Sequence, residues 1–302
     1  MGAAYLVFHE AVRGPRPKWW TMQNHCIFAA CLLVFFPAFA AGERPPELRF
    51  DLGAGNFLCV RGSIGRLERL GFLIDTGATR TFVDRRIATK LGLTLVPREG
   101  HLWALDHAGE AWQTEVPSLQ FGPIRLESFS GLVADLSAVH GVGPIDAVIG
   151  LDLLRLSSFQ IDYRSRRITF GPLPDSTDSI SFQTLSPLLS IDATIQQRPV
   201  RLIVDTAGSR LILFFDHMGS RLPRFRYRGP AKVLSVFGTS SVHGIDLAGL
   251  LLGGTALPGQ DAVLLDRAAA PYAGLDGVLG ALSQTLKRVG FDFERNRLQW
   301  EK

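Results

Sequence analysis

Apolar and polar positions alternate with period two in many short segments, separated by frequent Gly and other turn formers. That is the signature of short strands and tight turns. Leu58-Cys59-Val60-Arg61 and Gly71-Phe72-Leu73-Ile74 read as two strands of a hairpin turning through Gly62–Gly65. Leu189 to Ile195 and Val200 to Val204 read the same way, with a turn at Gln196–Pro199. Helical spacing is rare: Phe82, Val83, Ile87 and Leu91 predict one helix over 81–91, stopped by Gly92. Short helices are expected after Gly150 and Gly280. Hairpins are expected at 103–112, turning over Asp106–Gly109, at 233–242, turning at Gly238-Thr239, and at 160–170 and 290–300. So many strands and so little helix predict an all-β protein.

The pattern also repeats. Leu73-Ile74-Asp75-Thr76-Gly77 returns as Ile203-Val204-Asp205-Thr206-Ala207, 130 residues later. Asp146-Ala147-Val148-Ile149-Gly150 returns as Asp276-Gly277-Val278-Leu279-Gly280, and Phe159-Gln160-Ile161-Asp162 as Val289-Gly290-Phe291-Asp292, at the same offset. Phe121-Gly122 and Leu252-Gly253 match at 131, so one residue slips between the hairpins. A tandem repeat predicts a first lobe over 42–171, a linker over 172–186 rich in turn formers, and a second lobe over 187–302. Each lobe then carries one Asp where an apolar strand ends.

Length and composition fit this organisation. A chain of 302 residues with 46% hydrophobic residues can fill two cores. The formal charge of +4 includes the basic start of the chain, and what remains is too mild to argue for nucleic acid as a partner. Residues 26–36 form an uninterrupted apolar run, with basic residues before it and Ala38-Phe39-Ala40 after it. This predicts that 1–41 is a secretory signal peptide or a membrane anchor, and hence a protein exported to the periplasm or secreted, with a possible membrane tether. Of the three cysteines only Cys59 lies beyond that segment, so no internal disulfide is expected; Cys59 reads as a small core residue.

An Asp at the end of a buried strand is held rigidly. A Gly in the turn that follows lets backbone N–H groups approach its carboxylate, and the Thr hydroxyl can hydrogen-bond inward and fix the loop. One Asp-Thr-Gly tripeptide is weak evidence, since Asp and Gly are common turn residues. The repetition of the loop, always followed by an apolar-apolar-Gly strand at the same interval, is what singles it out.

On these residues the chain resembles the aspartic proteases, retropepsin-like and pepsin-like. The matching positions are Asp75, Thr76 and Gly77 in the first copy and Asp205 and Thr206 in the second; Ala147 to Gly150 and Gly277 to Gly280 resemble the hydrophobic-hydrophobic-Gly element behind the Asp loops. The resemblance implies a two-lobed β-barrel fold, like two retropepsin units fused in one chain, in which Asp75 and Asp205 form one catalytic dyad. It implies an endopeptidase acting on peptide or protein substrates, without metal or other cofactor, and active as a monomer because both loops lie in one chain. Thr76, Gly77, Thr206 and Ala207 would support the loops. The hairpin near Trp103, Asp106 and Gly109 matches the substrate-covering flap by position.

Two carboxylate charges about 3 Å apart repel by roughly 5 kcal/mol at an effective dielectric near 20, so such a pair shares one proton. The departure from the pattern is Ala207, with Gly208 one position late. If residue 207 needs a left-handed backbone, its Cβ costs on the order of 1–2 kcal/mol. The alternative that follows is a non-catalytic peptide-binding module with a degenerate second lobe. Weaker features point to no other chemistry. His101, Asp106 and His107 lack the spacing of a zinc site. Arg164, Arg166 and Arg167 sit at a turn, and Ser240 and Ser241 lack a nucleophile elbow. There is neither a phosphate loop nor a dinucleotide fingerprint.

Overall fold

The computed structural model describes residues 3–4, 9–10, 45–98, 101–143, 145–183 and 187–302. The apolar run read as an export signal lies outside the described residues. Among those described, no helix is long and apolar enough to cross a membrane.

The fold is all-β, with only short helices among the described residues. Strand Leu58–Ile64 turns its alternate residues Leu58 and Val60 inward, while Leu67–Ile74 is buried continuously from Leu70 onward. The change of pattern has a cause in the sheet. Leu67–Ile74 is central, with Leu58–Ile64 antiparallel on one side and Ala147–Ile149 parallel on the other. Leu70, Phe72 and Ile74 also join one apolar cluster while Leu73 joins another, and a strand covered on both faces loses its polar positions. The other half is built alike, with Arg198–Val204 between antiparallel Ser190–Ile195 and parallel Gly277–Leu279.

The terminal hairpins join the halves. Phe159–Asp162 pairs with Arg167–Phe170 and also with Arg288–Asp292, which pairs with Arg297–Glu301. Glu47–Leu52 extends this antiparallel ladder at one end and Ser179–Gln183 at the other. The stretch read as a linker therefore contains a strand. Phe159 and Phe291 stack across the join with centroids 4.9 Å apart, inside one apolar cluster that runs through both halves.

Several local expectations shift. The helix is Arg85–Leu91, not 81–91, because Phe82–Asp84 is claimed by the sheet, pairing with Phe129–Ala134 and Ala147–Ile149. Asp84 caps that helix, accepting from the Arg86 N–H at 2.8 Å, and Gly92 ends it with φ 69°. The first hairpin turns at Gly65 and Arg66 rather than through Gly62–Gly65; a bulge near Gly62 carries the strand on. The 103–112 hairpin is shorter than expected: Leu102–Ala104 pairs with His107–Gly109, so the turn is at Leu105 and Asp106, and Gly109 lies on a strand. Trp112 belongs to Trp112–Val116, paired with Phe129–Ala134. In the other half Arg226–Ser235 pairs with Gly238–Leu247 and turns at Val236 and Phe237, not at Gly238-Thr239.

Candidate active site

Both Asp residues leave central strands and are held from behind by the next parallel strand. The Asp75 N–H donates to the Ile149 carbonyl at 3.0 Å, and the Asp205 N–H to Leu279 at 3.1 Å. The glycine that follows each of these strands makes room for the loop. A Cβ on Gly150 would come within 2.4 Å of the Arg80 carbonyl oxygen, and one on Gly280 within 2.5 Å of that of Arg210. Directly beyond, the Leu151 N–H donates to Ala78 at 2.8 Å and the Ala281 N–H to Gly208 at 2.7 Å.

The two loops are clasped to each other. The Thr76 hydroxyl donates to the Val204 carbonyl at 2.7 Å and accepts from the Thr206 N–H at 3.1 Å. Reciprocally, the Thr206 hydroxyl donates to the Ile74 carbonyl at 2.7 Å and accepts from the Thr76 N–H at 3.1 Å. A hydroxyl is the smallest group that donates and accepts at once, which a crossed arrangement of this kind requires. All four bonds are buried, so each side is fixed by the other.

The clasp brings the carboxyl groups of Asp75 and Asp205 together, both fully buried. Asp75 Oδ1 accepts from the N–H of Gly77 at 2.8 Å and of Ala78 at 3.1 Å; Asp205 Oδ1 accepts from the N–H of Ala207 at 2.7 Å. Oδ2 of each takes no hydrogen bond from a backbone or hydroxyl donor. Desolvation pushes the Asp75 carboxyl well above the usual carboxylate range, and the Asp205 charge pushes it further. Desolvation likewise raises Asp205, to about 7, against the pull of its backbone N–H donors. Each carboxyl disfavours a second negative charge beside it, so the pair favours a single shared proton. The two titrate as one unit.

The difficulty at Ala207 disappears in the structure. Neither Ala207 nor Gly77 has a positive φ, so the Cβ of Ala207 strains no backbone. Gly77 is small for another reason: a Cβ there would lie 2.8 Å from Asp205 Cγ.

The first-half hairpin lies close by. Leu102 and Ala104 share a buried cluster with Ala78 and Ala207 of the two Asp loops and with Val236 from the tip of the second-half hairpin. Trp103 is half-buried in the neighbouring cluster. Asp106 accepts from the Ser240 hydroxyl and pairs with His107 Nδ1 at 2.7 Å, so these residues join the two hairpins. Trp112 stands apart, stacked under the Arg85 guanidinium at 3.8 Å. Cys59 is half-buried, and desolvation pushes its thiol up to about 11, as for a packing residue.

Two supports escaped the sequence reading. Thr81 donates its hydroxyl to Asp152 Oδ1 at 2.7 Å and accepts from the Gly150 N–H at 3.1 Å, bracing the Asp75 side alone. Tyr272 is fully buried beside the hairpin tip. Nothing in the local pattern marks either one.

Residues 60–153 match the model of the aspartyl protease family. The matched segment begins within Leu58–Ile64, the first strand of the hairpin that leads to the Asp75 loop, and ends just past the Gly150 turn. No curated protein matches the chain.

Proposed function

We propose that this protein is an aspartic-type endopeptidase built from two retropepsin-like units in one chain, with Asp75 and Asp205 as its catalytic pair. The observation that carries the reading is the reciprocal Thr76–Thr206 clasp, which joins two Asp loops 130 residues apart and buries their carboxyls together. The family match over residues 60–153 supports the chemistry of the first loop. The second loop repeats its bonds: the N–H two residues after each Asp reaches that Asp's Oδ1.

In this reading the pair holds one proton. The ionised member takes a proton from a water between the carboxyls as the water attacks the scissile carbonyl carbon. The protonated member donates to the carbonyl oxygen; as the C–N bond breaks, the proton taken from water goes to the leaving amine and the hydroxyl of the intermediate returns its proton to the member that gave it. The chemistry asks for no cofactor and no second subunit, so the active species in this reading is a monomer acting on peptide or protein chains, and the apolar run 26–36 supports its export. The binding-module alternative took its motive from Ala207, and the absence of a positive φ there speaks for the catalytic reading.

The test is hydrolysis of a mixed peptide library by the purified protein at acidic to neutral pH, with and without a statine-type inhibitor. Cleavage that the inhibitor stops supports the proposal. Binding of peptides without cleavage would replace it with the alternative.

A further inference from the structure

Leu105 combines two features that rarely coincide. It is a non-glycine residue in the left-handed region, with φ 60°, and its side chain is fully buried. The left-handed conformation is unfavourable for Leu, and such strain persists only where the surroundings over-determine it. Those surroundings come from the other half of the molecule. The Leu105 side chain sits among Phe214, Val233, Ala269 and Tyr272. Its N–H donates to the Tyr272 hydroxyl at 3.2 Å, and its carbonyl accepts from the Ala269 N–H at 3.1 Å. The Tyr272 hydroxyl donates in turn to the Trp103 carbonyl at 3.4 Å.

The exchange runs both ways. Val236, at the tip of the second-half hairpin, is buried among first-half residues such as Phe57 and Leu132. The neighbouring Phe237 ring lies so close to Gly109 that a Cβ there would come within 2.0 Å of it. The Ser240–Asp106–His107 contact ties the hairpins between these points. Tyr272 also lies within the field of the pair, since the charges of Asp205 and Asp75 add to the burial that pushes its phenol above the ordinary value.

We propose that Leu105 and Tyr272 are positioning residues of the site: they latch the first-half hairpin onto the other half over the buried Asp pair, and a substrate must release this latch to enter. The proposal rests on the endopeptidase reading for its kinetic part only. The strained Leu105 backbone is released when the tip lifts, which offsets part of the cost of opening. A hairpin that merely packed for stability would need neither the left-handed Leu nor a hydroxyl from the other half.

Hydrogen exchange of the amides in 102–109, measured on the full chain, tests the latch without reference to activity. Leu105→Ala empties the socket and Tyr272→Phe removes the acceptor of the Leu105 N–H. Each should speed exchange across 102–109 by about ten-fold or more while leaving Arg198–Val204 unchanged, and Leu105→Met, which refills the socket, should restore protection. Unaltered exchange in both variants overturns the proposal. In peptide hydrolysis, KM should fall about five-fold in both variants, with a smaller change in kcat. A KM that is unchanged or raised overturns the release step. If the wild-type protein hydrolyses nothing yet exchange responds as stated, the latch stands and the endopeptidase reading falls.

Discussion

The Asp75 and Asp205 loops make almost the same bonds from different residues. Each Asp is held by a parallel strand behind it and by the N–H two residues ahead, and each Thr reaches across to the opposite strand. Yet Gly77 faces Ala207, and the Thr81–Asp152 brace on the first side is replaced by Leu211 and Leu282 on the second. The backbone geometry of the pair therefore tolerates different neighbours, provided the clasp and the N–H donors survive. On the first side a Cβ at residue 77 would lie 2.8 Å from Asp205 Cγ, whereas on the second residue 207 carries a Cβ, and substitutions at these matched positions show where the sides diverge.

The largest effect is expected from the carboxyls themselves. Asp75→Asn and Asp205→Asn should each reduce peptide hydrolysis by about 10³-fold or more, since each removes one member of an acid–base pair. Neither should unfold the protein, because replacing one of two like charges relieves repulsion. Turnover assays with thermal unfolding on the same samples check both statements. Retained turnover in either variant removes that Asp from the catalytic pair.

Next in size is Gly77→Ala. A Cβ 2.8 Å from Asp205 Cγ cannot be accommodated without moving a carboxyl. Hydrolysis should fall by about 10²-fold, the scale on which misplaced reacting groups lose rate, while melting changes modestly. Activity near that of the wild type would mean that the opposite loop yields.

The clasp should respond equally from either side. Thr76→Ala and Thr206→Ala each strip a donor and an acceptor from buried backbone groups, so each should cost on the order of 2–4 kcal/mol in urea unfolding. The matching Thr→Ser variants keep the hydroxyl and should cost well under half of that. Unequal losses for the two alanines would show that one loop carries the other.

The pH dependence of stability isolates the pair. Both carboxyls hold protons more tightly in the folded than in the unfolded chain, so unfolding releases protons and rising pH favours it. Their contribution is complete below about pH 4, the range of an unfolded carboxylate, and is lost as pH rises through the Asp205 value near 7. Asp162 and Asp135 work oppositely, because hydrogen bonds that favour their charged forms lower them. The informative quantity is therefore the difference in Tm between wild type and Asp75→Asn. That difference should grow in favour of the variant from pH 4 to pH 7; a difference independent of pH refutes the shared-proton pair.

How much of this was legible beforehand depends on whether a feature is local. The Asp loops and the apolar-apolar-Gly strands behind them could be read because strand period, turn residue and spacing are properties of short segments. So could the all-β character. The crossed direction of the Thr bonds could not, since it depends on how the two loops meet. Hairpin turns were misplaced by a few residues because Leu105 and Phe237 sit at the tips, where pattern alone expects Gly or Asp. Leu105 takes a turn conformation for the sake of a socket in the other half of the chain. Tyr272 and Asp152 were invisible for the same reason: their partners, Leu105 and Thr81, lie 167 and 71 residues away.

Ala207→Gly should have the smallest effect, although Ala207 is the most conspicuous departure in the sequence. Were a left-handed backbone required at 207, the substitution would relieve strain and raise both stability and turnover. The observed backbone needs no such relief, because Ala207 has a negative φ and its N–H already reaches Asp205 Oδ1 at 2.7 Å. Glycine would instead remove a buried methyl and loosen the unfolded chain. The first costs about 0.8 kcal/mol and the second about 0.4–1 kcal/mol. The variant should therefore be less stable by about 1–2 kcal/mol, with kcat within about two-fold of the wild type. Set beside Gly77→Ala, it measures the asymmetry directly: one added methyl disables the pair, and the reciprocal deletion only loosens the fold. Urea unfolding and peptide turnover at several acidic pH values decide the matter. A rise in kcat of ten-fold or more would show that the Ala207 methyl holds the carboxyls apart, and the two loops would then differ in chemistry as well as in packing.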